Sequence, residues 1–167
     1  LSGTPTVTAL LWLDTSEART ELGQDLVDIR LAFLTARRTR DAYFGYATSQ
    51  LHRLLNTGQF QSKMRQRVEK HARHLLRLLD QGFELYSTGH LTIRVADPSR
   101  YVEFGQRVAD DAKAAGVAVT EAEERFSSVR SPLPDRPDEE RVERWLHVVL
   151  AAHYRPAMDV VLQAVDR

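Results

Sequence analysis

Cysteine is absent from this chain of 167 residues. Disulfide bonds, thiolate metal ligands and cysteine nucleophiles are therefore excluded, and the absence agrees with a reducing cytoplasm, which is the expected location. Long apolar runs are missing too, since the run Ala9–Leu13 is far shorter than the roughly 20 residues that a membrane-spanning helix needs. We therefore expect a globular protein without a membrane partner.

The sequence also lacks the common motifs for phosphate, acyl-transfer and zinc chemistry. Its 8 glycines are scattered, there is no G-x-G-x-x-G or GK[ST] loop, and neither G-x-S-x-G nor H-E-x-x-H occurs. The acidic residues Asp110, Asp111, Glu121, Glu123 and Glu124 lack calcium-loop spacing and are interpreted as a solvated surface. We therefore expect neither a metal site nor a cofactor.

Charge is distributed unevenly, although the formal net charge is +0. Residues 37–78 contain ten basic and two acidic side chains, a net +8, whereas residues 79–140 contain seven basic and thirteen acidic ones, a net −6. Arginine supplies 20 of the 23 basic residues, a bias that fits a bacterial source with GC-rich codons. The basic middle of the chain is the main compositional indication of a binding function.

The basic segment Gln61–Leu79 is predicted to form an amphipathic helix. At 100° per residue its apolar side chains fall on one stripe, and it contains neither glycine nor proline. The opposite face shares positive or titratable head groups: Lys63, Arg67, Lys70, Arg73, His74 and Arg77. We interpret this face as the partner-binding surface.

The order of patterns predicts an α+β fold, in which a long antiparallel helical hairpin packs with a small three- to four-stranded sheet and a C-terminal helix follows. Four runs have the composition of strands: Thr6–Leu13, His90–Ala96, Val117–Val119 and Arg125–Val129. The second and third flank a helix predicted to start at Asp97-Pro98 and complete a βαβ unit. Residues 1–130 are predicted to be the α+β core, 131–137 a proline-rich connector, and 138–167 a helix on the core or in an oligomer interface.

The first leg of the hairpin covers residues 15–55, as one long helix or as two. A bend near Arg38–Asp41 is favoured over a clean break, because no proline or paired glycine occurs there. The residues Asn56-Thr57-Gly58 predict the turn of the hairpin. Gly82 and Gly89 are expected to bracket the frayed end of the basic helix.

The predicted core follows from these apolar stripes. Solvent exposure is expected at Gln50, Lys70 and Arg73, and greater protection of any one of them than of the core would contradict the assigned faces. Burial is expected for a larger set: Leu11, Leu26, Ile29, Phe33, Leu54, Val68, Leu75, Leu79, Ile93, Val95, Phe104, Val108, Trp145 and Val149.

We predict a non-enzymatic intracellular interaction or regulatory domain, because the charges are segregated and no catalytic constellation accompanies them. Three interpretations of the basic face are open: a solvated surface neutralised by the acidic residues 121–124, a docking site for an acidic protein or a second copy, and a nucleic-acid site. The nearest aromatic residues, Tyr43, Phe44 and Tyr46, have core-like spacing, which disfavours the nucleic-acid interpretation.

An alternative function comes from an R-x4–6-H pattern. Six residues separate Arg67 from His74, and the two lie only about 20° apart around the predicted helix. The pair resembles the motif of the HEPN ribonucleases, in which the arginine and the histidine meet across a dimer and act on the RNA 2′-hydroxyl and phosphate. The resemblance covers this one motif and implies RNA cleavage or nucleic-acid binding through Arg67 and His74.

The predicted C-terminal helix has more apolar surface than one buried stripe needs: Trp145, Leu146, Val148, Val149, Met158, Val161, Leu162 and Val165. This surplus predicts a contact with the sheet or with a second copy, commonly through a two-fold interface. Pro156 is expected to kink the helix. A strict monomer in light scattering at high protein concentration would contradict the dimer.

Overall fold

The computed structural model describes Trp12 and residues 20–56 and 62–165, with side chains for Trp12 and residues 20–54 and 65–154. These ranges form α1 (Glu21–Asp28), a 3-10 helix (Arg30–Phe33), α2 (Ala36–Asn56), α3 (Ser62–Thr88), α4 (Ser99–Asp110), α5 (Lys113–Ser128) and α6 (Glu139–Val165). The chain divides into two compact units. The terminal unit comprises Leu1–Leu34 and Arg136–Arg167, and the central unit comprises Thr35–Asp135.

The predicted α+β fold is wrong, because residues 20–56 and 62–165 contain no strand and no sheet. Val117–Val119 lies inside α5, and Arg125–Val129 is the end of that helix rather than a strand. The buried residues Ala115, Val119, Ala122 and Phe126 continue one helical stripe through both runs, so burial at helical spacing outweighs the preference of valine for strands. The strand predicted at Thr6–Leu13 lies outside the described residues except for Trp12.

The predicted strand His90–Ala96 is an irregular segment that lies along α3, so the βαβ unit is wrong as well. Side chains of α3 bond its backbone in place of a neighbouring strand. Glu84 accepts a hydrogen bond from the Thr92 amide at 2.9 Å, Gln81 donates to the Thr92 carbonyl at 2.9 Å, and Arg77 donates to the Ile93 carbonyl at 3.1 Å. Because these groups are satisfied locally, the segment needs no sheet.

The first leg of the predicted hairpin is interrupted before residue 36, and not by a bend near Arg38–Asp41 as predicted. Residues 21–56 form α1, the 3-10 helix and α2, and α2 begins at Ala36 and passes through 38–41 without interruption. The buried Thr35 caps α2, since its Oγ1 accepts a hydrogen bond from the Arg38 amide at 3.1 Å. The threonine cap therefore marks the start of α2, which the apolar periodicity alone does not locate.

The central unit has a core built around α3. Helix α2 lies antiparallel to α3, while α4 and α5 also pack on α3. Gly82, expected at a frayed end, instead lies inside α3, where a Cβ atom would meet the Cβ of Tyr43 at 2.4 Å. Helix α3 ends about two turns later, at Thr88, and is followed by Gly89, whose φ of 71° is readily adopted by glycine.

The predicted core is partly confirmed. Ile29, Leu54, Val68, Leu75, Leu79, Phe104 and Val108 are buried, and Leu26, Ile93, Val95, Trp145 and Val149 are half-buried. Phe33 is 38% exposed, so its predicted burial is wrong. Leu11 lies outside the described residues.

The first part of the proline-rich segment is attached to the helices of the central unit. Ser131 Oγ donates a hydrogen bond to the Tyr86 carbonyl and accepts one from the Leu133 amide. The Ala36 amide donates to the Pro134 carbonyl at 3.1 Å, and Leu133 is buried. The sequence-based division at residues 130 and 138 stays a prediction.

In the terminal unit, α6 packs against α1 and the 3-10 helix. Asp138 caps α6 by accepting a hydrogen bond from the Arg141 amide at 3.0 Å. Trp145 donates a hydrogen bond to the Leu22 carbonyl and meets the ring of Phe33 edge-on, with the ring centroids 6.5 Å apart.

Helix α6 continues through Pro156. Across residues 20–56 and 62–165, none of the helices has both the length and the hydropathy of a transmembrane segment.

Candidate functional site

The partner-binding residues predicted on α3 do not all share one environment. Arg67, Lys70, His74 and Arg77 are exposed, and Arg77 also donates to the Ile93 carbonyl. Arg73 is half-buried: its Nε donates to the Glu69 carbonyl at 3.3 Å. Its Cγ lies 3.0 Å from the position that a Cβ of Gly105 on α4 would take, so this side chain is turned toward α4. The side chain of Lys63 is outside the described residues.

Helix α2 supplies a second set of residues beside those of α3, and they were not among the predicted site residues. Gln50 Oε1 lies 2.9 Å from His71 Nδ1, and because an amide carbonyl oxygen can only accept, the imidazole donates this bond. The ring of Tyr46 stands edge-on to that of His74, with centroids 5.7 Å apart and an interplanar angle of 83°. Arg53 lies close enough that its positive charge helps to lower the pKa of His71.

We define the α2–α3 face as the surface that these residues form together. Its members are Tyr46, Gln50 and Arg53 of α2, and Arg67, Lys70, His71, His74 and Arg77 of α3. Tyr46 is 47% exposed, so its core-like spacing is misleading.

Gln50 is only 1% exposed, and its predicted exposure is wrong. A signal for this burial exists in the sequence, because Tyr43, Ala47, Gln50 and Leu54 step at helical intervals of four, three and four along the buried side of α2. The hydrogen bond to His71 offsets the cost of burying the amide. The local pattern does not, however, identify His71, 21 residues away, as the hydrogen-bond partner of Gln50.

The two histidines at the centre of the α2–α3 face have lowered pKa values. For His71 the main cause is burial, followed by the positive charges of Arg53, Arg67 and Lys70. For His74 burial also comes first, followed by Arg77 and His71. Burial and the neighbouring guanidinium and ammonium groups all disfavour the protonated form, so both imidazoles are largely neutral at pH 7. The face therefore has an uncharged centre of aromatic rings with guanidinium and ammonium groups around it, and the buried amide of Gln50 is bonded to one of these rings.

The acidic residues of α5 do not neutralise this face through ion pairs. Glu121, Glu123 and Glu124 are exposed, and among the described side chains no ion pair joins them to the α2–α3 face. The ion pairs seen between described side chains of the central unit include Arg37–Asp41 on α2, Arg65 with Glu69 and Asp110, and Asp80 with Arg100 and Arg125.

Metal binding receives no support from the geometry. Among the described residues, no three histidine or carboxylate side chains stand close enough together to hold an ion.

Arg67 and His74, the pair of the ribonuclease alternative, are both exposed on α3. The ring that contacts His74 is that of Tyr46.

Acidification is expected to destabilise the central unit through His71. Because folding lowers the pKa of this imidazole, the unfolded chain binds the proton more readily once the pH falls below about 6.5. The free energy of unfolding is therefore highest above that pH and decreases as the pH falls toward the folded-state pKa. Urea titrations from about pH 7.5 to pH 5 should show the decrease, with a shallower slope in His71→Gln. An identical slope in that variant would contradict the role of His71.

Comparisons with protein-family models, with curated proteins and with solved structures found no match. The arrangement of the α2–α3 face is therefore the basis for assigning a function. Its distinguishing features are the cationic rim, the paired Gln50 and His71, and the exposed ring of Tyr46.

Proposed function

We propose that the central unit is a non-enzymatic interaction domain, which binds an acidic segment of a partner protein through the α2–α3 face. The observation that carries the proposal is the exposed set of cations around two neutral histidines, without an ion pair to the acidic side chains of α5. Carboxylates of a partner would pair with these cations, and the long-range attraction between the opposite charges would accelerate the association of the two proteins.

The structure indicates which cations a clean test can change. Arg73 packs beside Gly105 and Arg77 bonds the Ile93 carbonyl, so reversing their charges would also disturb contacts within the fold. Arg67 and Lys70 are exposed and form no ion pair among the described side chains. Substitutions at such positions usually change stability by about 0.5 kcal/mol or less.

Charge reversal in the variant Arg67→Glu/Lys70→Glu is expected to weaken binding of a fluorescein-labelled peptide rich in glutamate and aspartate by at least about tenfold, because attraction becomes repulsion. Fluorescence anisotropy measures the affinity. Binding to the unmodified protein should also weaken steeply as salt is raised from about 0.1 M to 1 M.

The matched control is Arg94→Glu/Arg130→Glu, which makes the same change of net charge at exposed positions of the central unit outside the α2–α3 face. The control should bind the peptide nearly as well as the unmodified protein. An equal loss in both variants would show attraction by total charge alone and would contradict a localised site.

RNA cleavage by Arg67 and His74 stays a prediction. The observation that favours it is the exposure of both side chains on α3, together with the lowered pKa of His74, which leaves a neutral imidazole able to accept a proton. Incubation of the purified protein with mixed RNA tests it. Cleavage that disappears in His74→Ala would replace the non-enzymatic proposal, and intact RNA would contradict the alternative.

Self-association through the C-terminal helix also stays a prediction. Leu146, Leu150 and Tyr154 are exposed at successive four-residue intervals of α6, which places them along one side of the helix. Val148 is exposed as well. A change of molar mass in Leu150→Glu, measured by light scattering, would identify this stripe as the interface.

A further inference from the structure

We propose that the acidic segment bound by the α2–α3 face carries an aromatic side chain, which packs on the rings of Tyr46 and His74 while the flanking carboxylates contact the surrounding cations. The inference rests on the proposed function and names the chemistry of the partner more closely. The occupant is a protein segment in which one aromatic residue lies between acidic residues.

The exposed position of Tyr46 is the first observation. Two residues earlier, Phe44 is half-buried and meets Phe126 at 6.3 Å, where it contributes to packing within the fold. Tyr46 instead leaves nearly half of its surface in solvent, and its ring is positioned by an edge contact with His74. A large exposed aromatic side chain held by a neighbouring helix is available to a partner.

The support beneath the two rings is the second observation. Gln50 lies one turn after Tyr46 on α2, and its buried amide is bonded to His71, which lies three residues before His74 on α3. This bond ties the two helices together beside the rings. A binding surface on two packed helices loses little conformational entropy when a ligand is bound.

The distribution of charge is the third observation. The centre of the face is neutral at pH 7, while Arg67, Lys70 and Arg77 surround it on α3. Protein interfaces commonly have this arrangement, with aromatic residues in a desolvated centre and charged groups at the rim. A purely acidic ligand would leave the central rings without a complementary contact.

The spacing of the cations suggests the dimensions of the ligand. Arg67 and Arg77 are ten residues apart on α3, which corresponds to about 15 Å along the helix axis. An extended peptide covers that distance in about five residues. The expected motif is therefore an aromatic residue with carboxylates within about two or three positions on each side.

The test uses two labelled peptides of equal length and charge, which differ only in a central tryptophan or serine between glutamates and aspartates. The tryptophan peptide is expected to bind the unmodified protein about fivefold to tenfold more tightly in fluorescence anisotropy. This advantage should disappear in Tyr46→Ala and persist in Tyr46→Phe, which keeps the ring. Val117→Ala, at an exposed position of α5, is the control and should keep it as well.

The outcomes separate the inference from the proposed function. Equal binding of both peptides, lost in Arg67→Glu/Lys70→Glu, would overturn the inference and leave the acidic docking function standing. Binding of neither peptide would overturn both. Tighter binding of a labelled oligothymidylate than of the tryptophan peptide would also overturn the inference, because bases stacked on Tyr46 and phosphates on the rim would then explain the face.

Discussion

The variant Phe126→Ala is expected to unfold with a free energy about 3–5 kcal/mol lower than that of the unmodified protein. Phe126 is 1% exposed and contacts the rings of Phe44, Phe83 and Tyr86 at centroid distances of 6.3, 5.5 and 5.1 Å. Alanine would remove these contacts and leave a cavity between α2, α3 and α5. Urea denaturation followed by circular dichroism measures the loss.

The matched control for Phe126→Ala is Val117→Ala in the same helix. Val117 is 57% exposed, so its truncation removes little buried area and should change the free energy of unfolding by about 0.5 kcal/mol or less. A loss below about 1 kcal/mol in Phe126→Ala would contradict the aromatic cluster as a centre of packing. A domain is typically stable by only about 5–15 kcal/mol, so the expected loss would be a large fraction of the total.

The variant Gly82→Ala is expected to destabilise the central unit by about 1–3 kcal/mol, although alanine is the better helix former. The added Cβ would lie 2.4 Å from the Cβ and 2.7 Å from the Cγ of Tyr43, so α2 and α3 would have to move apart. Tyr43 is itself half-buried, and burial raises the pKa of its phenol. Thermal and urea denaturation measure the change.

Two other helical glycines provide the controls for Gly82→Ala. A Cβ at Gly45 of α2 or at Gly116 of α5 would meet nothing within 4 Å. Gly45→Ala and Gly116→Ala are therefore expected to stabilise the helices by about 0.5–1 kcal/mol. If all three variants behaved alike, the close approach at Gly82 would not be the cause.

The close approach at Gly82 also bears on function. The same two helices carry the Gln50–His71 hydrogen bond and the Tyr46–His74 ring contact, so a change in their separation would displace both. Gly82→Ala should therefore weaken binding of the tryptophan peptide even under conditions in which the variant remains folded. Gly45→Ala provides the comparison on α2.

The sequence by itself determined the elements whose signals are local. The apolar stripe containing Val68, Leu75 and Leu79 is buried as the periodicity predicts, because a helix with one long apolar side can lower its free energy only by covering that side. Asp97 and Asp138 also act near helix starts, where their oxygens accept hydrogen bonds from the amides of Ser99 and Arg141. These signals need only a few neighbouring residues.

Tertiary structure alone decided the state of the short apolar runs and the composition of the candidate site. The preference of valine for strands contributes less free energy than the burial of Val119 and Phe126 along one stripe of α5. The backbone of residues 92–93 is hydrogen-bonded by side chains of α3 and not by a neighbouring strand. The helical spacing of Gln50 indicates its burial, but its hydrogen bond to His71 forms only when α2 and α3 pack together. Local sequence carries helix propensity and caps, whereas the contacts that group residues into a surface depend on distances that only the packed helices define.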